Sequence, residues 1–572
     1  MKEKKSIKIT VTTFIWVLVI AIVIAIISTC IIMTNFITSK PENLGNEDVT
    51  NTILEESNLI SNEAEEKTAE QENIVENYDD SEFELTFLKL ENKKENMIYS
   101  PLSIKYAVKM LEEGANGISK EQISKLLGKT SLTKYISNEN LSFANSFFVK
   151  DVYKSQVKES FINTLRNKYN AEIKFDNFEN ADSINNWIKE KTFEIIPEIT
   201  TDEEVQELDF ALINALAIDM EWEYKFLNKY QDNKYGNTDF LHEQLKREPL
   251  TDEEVYNRSI DIYADENVRK TKFKNNDNEL DVSGMTIYAT INNYDIVKEL
   301  GEENIKNIVS EEYRKFAKEE EYDTEHAFGD FPLSEDVSDE GIKKALDEFL
   351  PGYIKELKEN YHKLGATTDF YVYTDEETKV FAKDLKEYDG VTLQYIGIMP
   401  TEGNLDNFIK NIDMTKVNKY ISNLKDVDEY KDFKDGVVTR IFGYIPKFKF
   451  EYDLELMKDL ELCGVEDVFD AEKADLSNMV KENAFISTVL HKANIEFTQD
   501  GIKAAAVSML GGEGAGMPFD YFFDVPVEEI DMTFDKPYMF LIRDKETNEI
   551  WFAGSVYEPL LWENEPENMY AY

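Results

Sequence analysis

A multidomain α/β protein is what this sequence predicts, and three observations carry that reading. The first 37 residues are basic and then apolar. From Ser81 onward, stretches alternating with period two take turns with stretches of helical period. Near the C-terminus a strand pattern gives way to a long run of small side chains. These features divide the chain into 1–37, 38–80, a body in three parts (81–225, 226–365 and 366–560) and a tail, 561–572.

At the N-terminus, Lys2, Lys4, Lys5 and Lys8 precede an apolar run from about Ile9 to Ile37. Roughly 20 apolar residues cross a bilayer, and a cleaved leader has a shorter core that ends in small residues. The expectation is a retained transmembrane helix with its basic flank in the cytoplasm and the rest of the chain outside the cell. Acylation at Cys30 is the alternative. Residues 38–80 are rich in Glu, Asn, Asp and Ser and cannot sustain a core, so they read as an acidic, disordered tether.

The body begins with a helical face at Phe83, Phe87, Leu88 and Leu90. A short strand follows at Asn96 and runs into a helix with Ser100 as N-cap and Pro101 in its first turn, stopped by Gly114. Ser119, with Gln122 three residues on, reads as the capping box of the next helix. Leu141–Val149 alternates as a strand, Phe161–Tyr169 is helical and Ala171–Phe175 is a strand. Residues 226–365 read as an inserted α-rich or mixed domain, with helices at Tyr294–Tyr313 and Gly341–Tyr361. Pro351 is expected to break or kink the second.

Composition narrows the function. A formal charge of -51 excludes a nucleic-acid partner, whose phosphates would be repelled. Two cysteines, Cys30 and Cys463, make no disulfide framework. Four scattered histidines have no metal-ligand spacing. No Gly-x-Ser-x-Gly, Walker loop or His-Glu-x-x-His is present. The acidic runs Glu319–Asp323 and Glu335–Asp339 lack the spacing of a calcium loop and read as solvated faces.

The most informative stretch is Glu496–Gly516. Period two ends at Thr498. Gly501 breaks the pattern, Ala504, Ala505 and Ala506 follow, and Gly511, Gly512, Gly514 and Gly516 loosen the rest. As a strand, residues 502–510 would turn Ile502, Ala504, Ala506, Ser508 and Leu510 to one face and Lys503, the only charge among these nine, with Ala505, Val507 and Met509 to the other. It is a loop that could become a strand with an uncharged inner face.

This stretch resembles the hinge of the serpin family, acidic-Gly-Thr-Glu-Ala-Ala-Ala, as Asp500-Gly501-Ile502-Lys503-Ala504-Ala505-Ala506. The resemblance extends in order through Asn96–Ile104, Ala115–Ile123, Ile184–Thr192, Phe210–Trp222, Leu490–Glu496, Phe534–Asp544 and Phe552–Pro559. It implies an α/β fold with three sheets, about nine helices and an exposed reactive-centre loop at 501–531, in a membrane-anchored, bacterial-type member with a large insertion. It further implies an inhibitor, not an enzyme, that traps serine-type endopeptidases covalently as its loop enters the main sheet. No cofactor and no metal are implied, and a monomer is expected.

By the same resemblance, Gly501, Ile502, Lys503, Ala504, Ala505 and Ala506 form the hinge. Ser100, Ser103, Asn214 and His491 form the shutter beneath the sheet's opening point, and Trp222 belongs to the breach at its top. About fourteen inserted residues extend roughly 45 Å. That count puts the reactive bond at Ala515–Gly516, which suits a target protease with a small primary pocket. Phe519–Phe523 would then be an exposed docking patch or would pack on the body. The alternative function is a non-inhibitory surface protein that binds or adheres through its insert.

Overall fold

The computed structural model describes residues 82–128, 132–226, 267–275, 278–318, 336–360, 369–502 and 523–562. The expected membrane helix, the tether and residues 503–522 lie outside them. Among the described residues no helix is long and apolar enough to cross a membrane.

Helix α1, Phe83–Leu90, buries Phe83, Leu85, Phe87 and Leu88. Strand β1, Met97–Tyr99, leads into helix α2, Pro101–Gly114. There Ser100 caps as expected, its side chain accepting from the Ser103 N–H, with Pro101 in the first turn. Helix α3, Gly117–Leu127, starts earlier than the sequence suggests, and its N-cap is Asn116. Ser119 lies inside it and accepts instead from the Asp475 N–H at 3.0 Å. Gln122 accepts from the N–H groups of Glu466 and Asp467. The expected capping box is therefore absent: partners far along the chain take both side chains.

The next elements are β2 (Leu141–Lys150), α4 (Glu159–Tyr169), β3 (Glu172–Asp176), α5 (Asp182–Lys191), α6 (Asp202–Gln206), β4 (Phe210–Ile218) and β5 (Met220–Glu221). Strand β2 pairs parallel with β3 and antiparallel with β4. Strand β5 continues the line of β4 after Asp219.

The stretch 226–365 divides in two. Strands β6 (Val268–Asn275) and β7 (Asn278–Asn292) form a hairpin. Its Phe273, Met285, Ile287, Ala289 and Ile291 belong to the main core. Helices α7 (Ile296–Leu300), α8 (Glu302–Lys318) and α9 (Asp339–Asn360) gather a separate apolar cluster. Helix α9 runs through Pro351 without the expected break. Ile342, Leu346, Leu350, Ile354 and Leu357 are buried along one face on both sides of the proline. Burying five such side chains at about 1.5–3 kcal/mol each outweighs the roughly 3 kcal/mol cost of an interior proline.

The remaining elements are β8 (Tyr371–Thr374), β9 (Thr378–Asp384), β10 (Leu393–Pro400), α10 (Leu405–Asn411), α11 (Met414–Ser422), β11 (Lys425–Asp426), β12 (Val438–Pro446), β13 (Phe448–Asp453), α12 (Leu456–Leu462), β14 (Lys492–Phe497), β15 (Gly501–Ile502), β16 (Val527–Asp531), β17 (Tyr538–Asp544) and β18 (Ile550–Val556). The described residues thus hold twelve α-helices, against about nine expected; three of the twelve are α7–α9.

One sheet has the order β1-β18-β17-β10-β9-β8-β11, and another β16-β12-β7-β6. The third is split. Strands β13-β14-β15-β5 pair at one end, and β3-β2-β4 form the other part. Since β5 prolongs β4, the two parts are one sheet joined at its top. Below that, no ladder connects β4 to β14 among the described residues.

Candidate functional site: the head of a split sheet

The joint is made by two residues of the hinge. Ile502 pairs antiparallel with Phe497 of β14 on one side and Met220 of β5 on the other, and Gly501 pairs with Glu221. Gly501 has no room for a side chain, because a Cβ there would lie 2.2 Å from the Met220 carbonyl oxygen. Ile502 is 2% exposed, so the face assigned to it by alternation is the inner one. Lys503, Ala504, Ala505, Ala506 and the bond Ala515–Gly516 lie outside the described residues.

Below Ile502 the sheet opens on a cavity of about 440 Å³. Leu216, Ala217 and Ile218 of β4 line one side, Ala493 to Glu496 of β14 the other, and Ile98, Ile542 and Phe552 of the sheet behind form the floor. A smaller cavity lies further down, where Phe210 to Ile213 face Thr488 to Leu490. The opening is apolar and a few side chains deep.

Trp222 closes the top. It is fully buried, and its indole N–H donates to the Thr498 carbonyl at 2.8 Å. Its backbone N–H donates to the Asp500 carbonyl at 3.0 Å. Phe226, Tyr395 and Phe497 meet its ring edge to face. Lys225 and Asp500, an ion pair at 3.0 Å with both side chains 15% exposed, tie the same corner. The sequence reading missed this pair. Its only local signal was a lysine three residues beyond the tryptophan.

Ser100, Ser103, Asn214 and His491 come together between the two cavities. The Ser100 N–H donates to His491 Nε2 at 3.1 Å. Ser103 Oγ donates to the Asn214 carbonyl at 3.2 Å. The Asn214 side chain turns away from His491, and its Nδ2 donates to Asn145 Oδ1 at 2.9 Å. Asn145 in turn donates to the Tyr169 carbonyl. Asn145 is a further member of the cluster, visible only once β2 is paired with β4. Asn214 Oδ1 is buried and has no hydrogen-bond donor among the described residues. Such an atom costs about 1–3 kcal/mol while it stays unpaired. Burial pulls the pKa of His491 down to about 4, so the ring is neutral at physiological pH and Nε2 is free to accept.

Phe523, the first described residue after the loop, is not exposed. It is 5% accessible and sits in the cluster of α7–α9 with Val438, and Val525 packs beside it. The expected docking patch is therefore not available at Phe523. Phe519 to Phe522 lie outside the described residues.

The family model described as "Serpin (serine protease inhibitor)" matches residues 83–244 and 359–559. Serpin B10 of Rattus norvegicus is 37% identical over 129 residues, which cover 22% of this chain and 30% of the relative. An uncharacterized serpin-like protein of Methanosarcina acetivorans is 34% identical over 172 residues, covering 30% and 36%. Leukocyte elastase inhibitor A of Mus musculus is 30% identical over 173 residues, covering 30% and 42%. The matched stretches span less than half the length of these relatives. Among solved structures, the thermophilic serpin tengpin in its native state superposes with a TM-score of 0.52 at 22% identity, over 84% of this chain and 92% of that one. Thyroxine-binding globulin gives 0.52 at 16% identity, over 84% and 98%. This chain belongs to the serpin family, whose members are generally protease inhibitors.

Proposed function

We propose that the chain inhibits serine-type endopeptidases by letting them cut its loop and then capturing them. The observation that carries the reading is the seating of Gly501–Ile502 as a two-residue strand at the head of the opening between β4 and β14. The protease serine Oγ attacks the Ala515 carbonyl carbon, and the amine of Gly516 leaves with a proton. Ala515 then remains bound to the enzyme as an ester. The cut chain enters the opening from Ile502 downward and carries the enzyme with it. Displacement distorts the enzyme's active site before water can hydrolyse the ester.

The existing pairing sets the register of entry. Continued antiparallel from Ile502, it puts Ala504 between Ile218 and Ile495, Ala506 between Leu216 and Ala493, and Ser508 between Asn214 and His491. The small alanines enter where the cavity is already lined by larger groups. The Ser508 hydroxyl arrives where Asn214 Oδ1 lacks a donor. Both coincidences support the proposal.

Ala515 suits a protease with a shallow primary pocket, and a relative similar over part of this chain is named a leukocyte elastase inhibitor. A membrane anchor at the N-terminus would hold the inhibitor at the outer cell surface. Incubation of the full-length protein with elastase-like, subtilisin-like, trypsin-like and chymotrypsin-like enzymes tests the proposal. An SDS-stable complex with a small-pocket enzyme, releasing a fragment that starts at Gly516, is expected. Clean cleavage with no complex from any enzyme overturns it.

A further inference from the structure

Leu132 to Asn140, which lead into β2, form neither helix nor strand. They make a strap that is held to the body at three places. At its start, the Tyr106 hydroxyl of α2 donates to the Thr133 carbonyl at 2.5 Å. At its end, Asn140 exchanges two hydrogen bonds with Asp219, the residue between β4 and β5. Its Nδ2 donates to the Asp219 carbonyl and its own carbonyl accepts from the Asp219 N–H, both at 2.8 Å. In the middle, the ring of Tyr135 packs on Phe143 and Trp551. The Tyr135 hydroxyl lies 3.1 Å from Asp544 Oδ2 and 3.0 Å from Glu549 Oε2, at the two ends of the turn that joins β17 to β18.

That meeting of three oxygens has a proton to account for. A phenol has one proton and donates it at full strength to one acceptor. Two ionised carboxylates that converge on it would repel each other. The arrangement is favourable when one acid brings a proton of its own and donates it to the phenol oxygen. Asp544 is committed as an acceptor, because its Oδ1 takes the N–H groups of Glu546 at 2.8 Å and Thr547 at 3.2 Å. Glu549 is therefore the carrier. Burial, opposed by the hydroxyls of Tyr135 and Thr133 and by Lys105 and reinforced by Asp544, pushes its carboxyl above the ordinary range. Lys105 is itself paired with Glu84 of α1. Arg543, beside Asp544, donates to Asn548 Oδ1 and to the Lys545 carbonyl. Burial also pushes the phenols of Tyr106 and Tyr135 upward, so neither loses its proton where Glu549 does.

We propose that a proton held between Glu549 and Tyr135 latches the strap onto the β17–β18 turn, and that loss of this proton as pH rises releases it. A carboxyl raised in the folded chain holds its proton more tightly than the unfolded chain does. The contribution of the latch is thus complete below the ordinary value of 4.5 and is lost as pH rises through the folded value. The released strap keeps its ends and loses its middle. Because Asn140 holds Asp219, the slack reaches the joint of β4 and β5 at the head of the split sheet. The latch works in the same way whatever that sheet accepts.

Hydrogen exchange of the full-length protein at pH 5 and pH 8, corrected for the intrinsic rate, tests the latch. The reporters are the N–H groups of Asn138, Asn140, Leu141 and Phe143, each bonded within the strap or at its junction with β2. In wild type their protection should fall by about tenfold or more between the two pH values, while that of β10 holds. Glu549→Gln carries an amide donor at every pH, so its strap should stay at the acid level of protection. Tyr135→Phe removes the phenol oxygen and should give low protection at both. A wild-type strap protected equally at both pH values overturns the proposal. So does a fall in Glu549→Gln or Tyr135→Phe as large as that of wild type, because the proton then sits elsewhere. An equal fall in β10 overturns it too, since the loosening is then global.

Discussion

The sheet that contains β10, β17 and β18 and the sheet that contains β4 and β14 lie against each other and differ in almost every respect. In the first, all residues of β10, β17 and β18 are buried, and β17 is paired with β10 on one side and β18 on the other along almost all its length. Tyr395, Phe540 and Phe448 stack in its contact with the split sheet. In the second, β4 and β14 face each other across a cavity, joined among the described residues by Gly501 and Ile502. The polar groups near the division include amides, hydroxyls and the His491 imidazole, and two amide oxygens, Asn214 Oδ1 and Asn494 Oδ1, are buried without a donor among the described residues. In the first sheet ladders run from strand to strand, whereas among the described residues no ladder joins β4 to β14 below the hinge.

Cutting the loop should expose this difference most strongly. A ladder ten or more residues long and the burial of its inner face should add several kcal/mol. We therefore expect the melting temperature of the cut protein to rise by about 10 °C or more, read by calorimetry. No rise means that the opening is not a strand site.

The same charge placed in each sheet should give opposite outcomes. Ile396 in β10 and Ile502 at the hinge are both almost wholly buried. Ile396→Arg should unfold the protein, at a cost of at least several kcal/mol. Ile502→Arg should expel the hinge, leave the body folded by circular dichroism and, under the proposed function, make the chain a substrate that is cut without forming a complex. If Ile502→Arg still forms complexes at the wild-type rate, the inner face is wrongly assigned.

Acid should weaken the split sheet through His491. Its folded pKa, about 4, lies below the ordinary value of 6.5, so the unfolded chain takes up the proton first as pH falls. The contribution of this group is complete above pH 6.5 and is lost as pH falls toward 4. The loss amounts to at most about 3 kcal/mol. Denaturant midpoints between pH 7 and 4 should fall less steeply in His491→Asn than in wild type. Equal slopes would mean that His491 is not shielded.

The smallest effect expected is that of Ser508→Ala. The uncut protein should melt as wild type does. The cut protein should gain less by about 1 kcal/mol, because Asn214 Oδ1 remains without a donor. An unchanged gain would mean that the entering strand takes another register.

What was legible in the sequence was local. Ser100 and Pro101 sit at a helix start because capping needs only neighbours three residues apart. The alternation at Ile502 gave its inner face because a strand has only two. Ser119 and Gln122 were misread because their partners lie near Asp475 and Asp467. The hairpin β6–β7 went unread although Met285, Ile287, Ala289 and Ile291 alternate plainly. The division between β4 and β14 leaves no mark in either strand, since it is a relation between two segments that each look complete. The sequence left open whether Phe523 is exposed or packs on the body, because the surface that covers it is built largely by helices without a counterpart in the family pattern.

The indole of Trp222 gives the molecule an optical property. The ring donates its one hydrogen bond to the carbonyl of Thr498, three residues before the hinge begins, and lies among three aromatic rings. Indole emission shifts with the polarity and hydrogen bonding around the ring. Passage of the loop beneath this corner should therefore alter the colour and lifetime of Trp222 fluorescence in real time. The chain has five tryptophans, and of these Trp222 alone touches the moving corner among the described residues. Stopped-flow mixing with a protease could then follow single turnovers of the trap without any added dye.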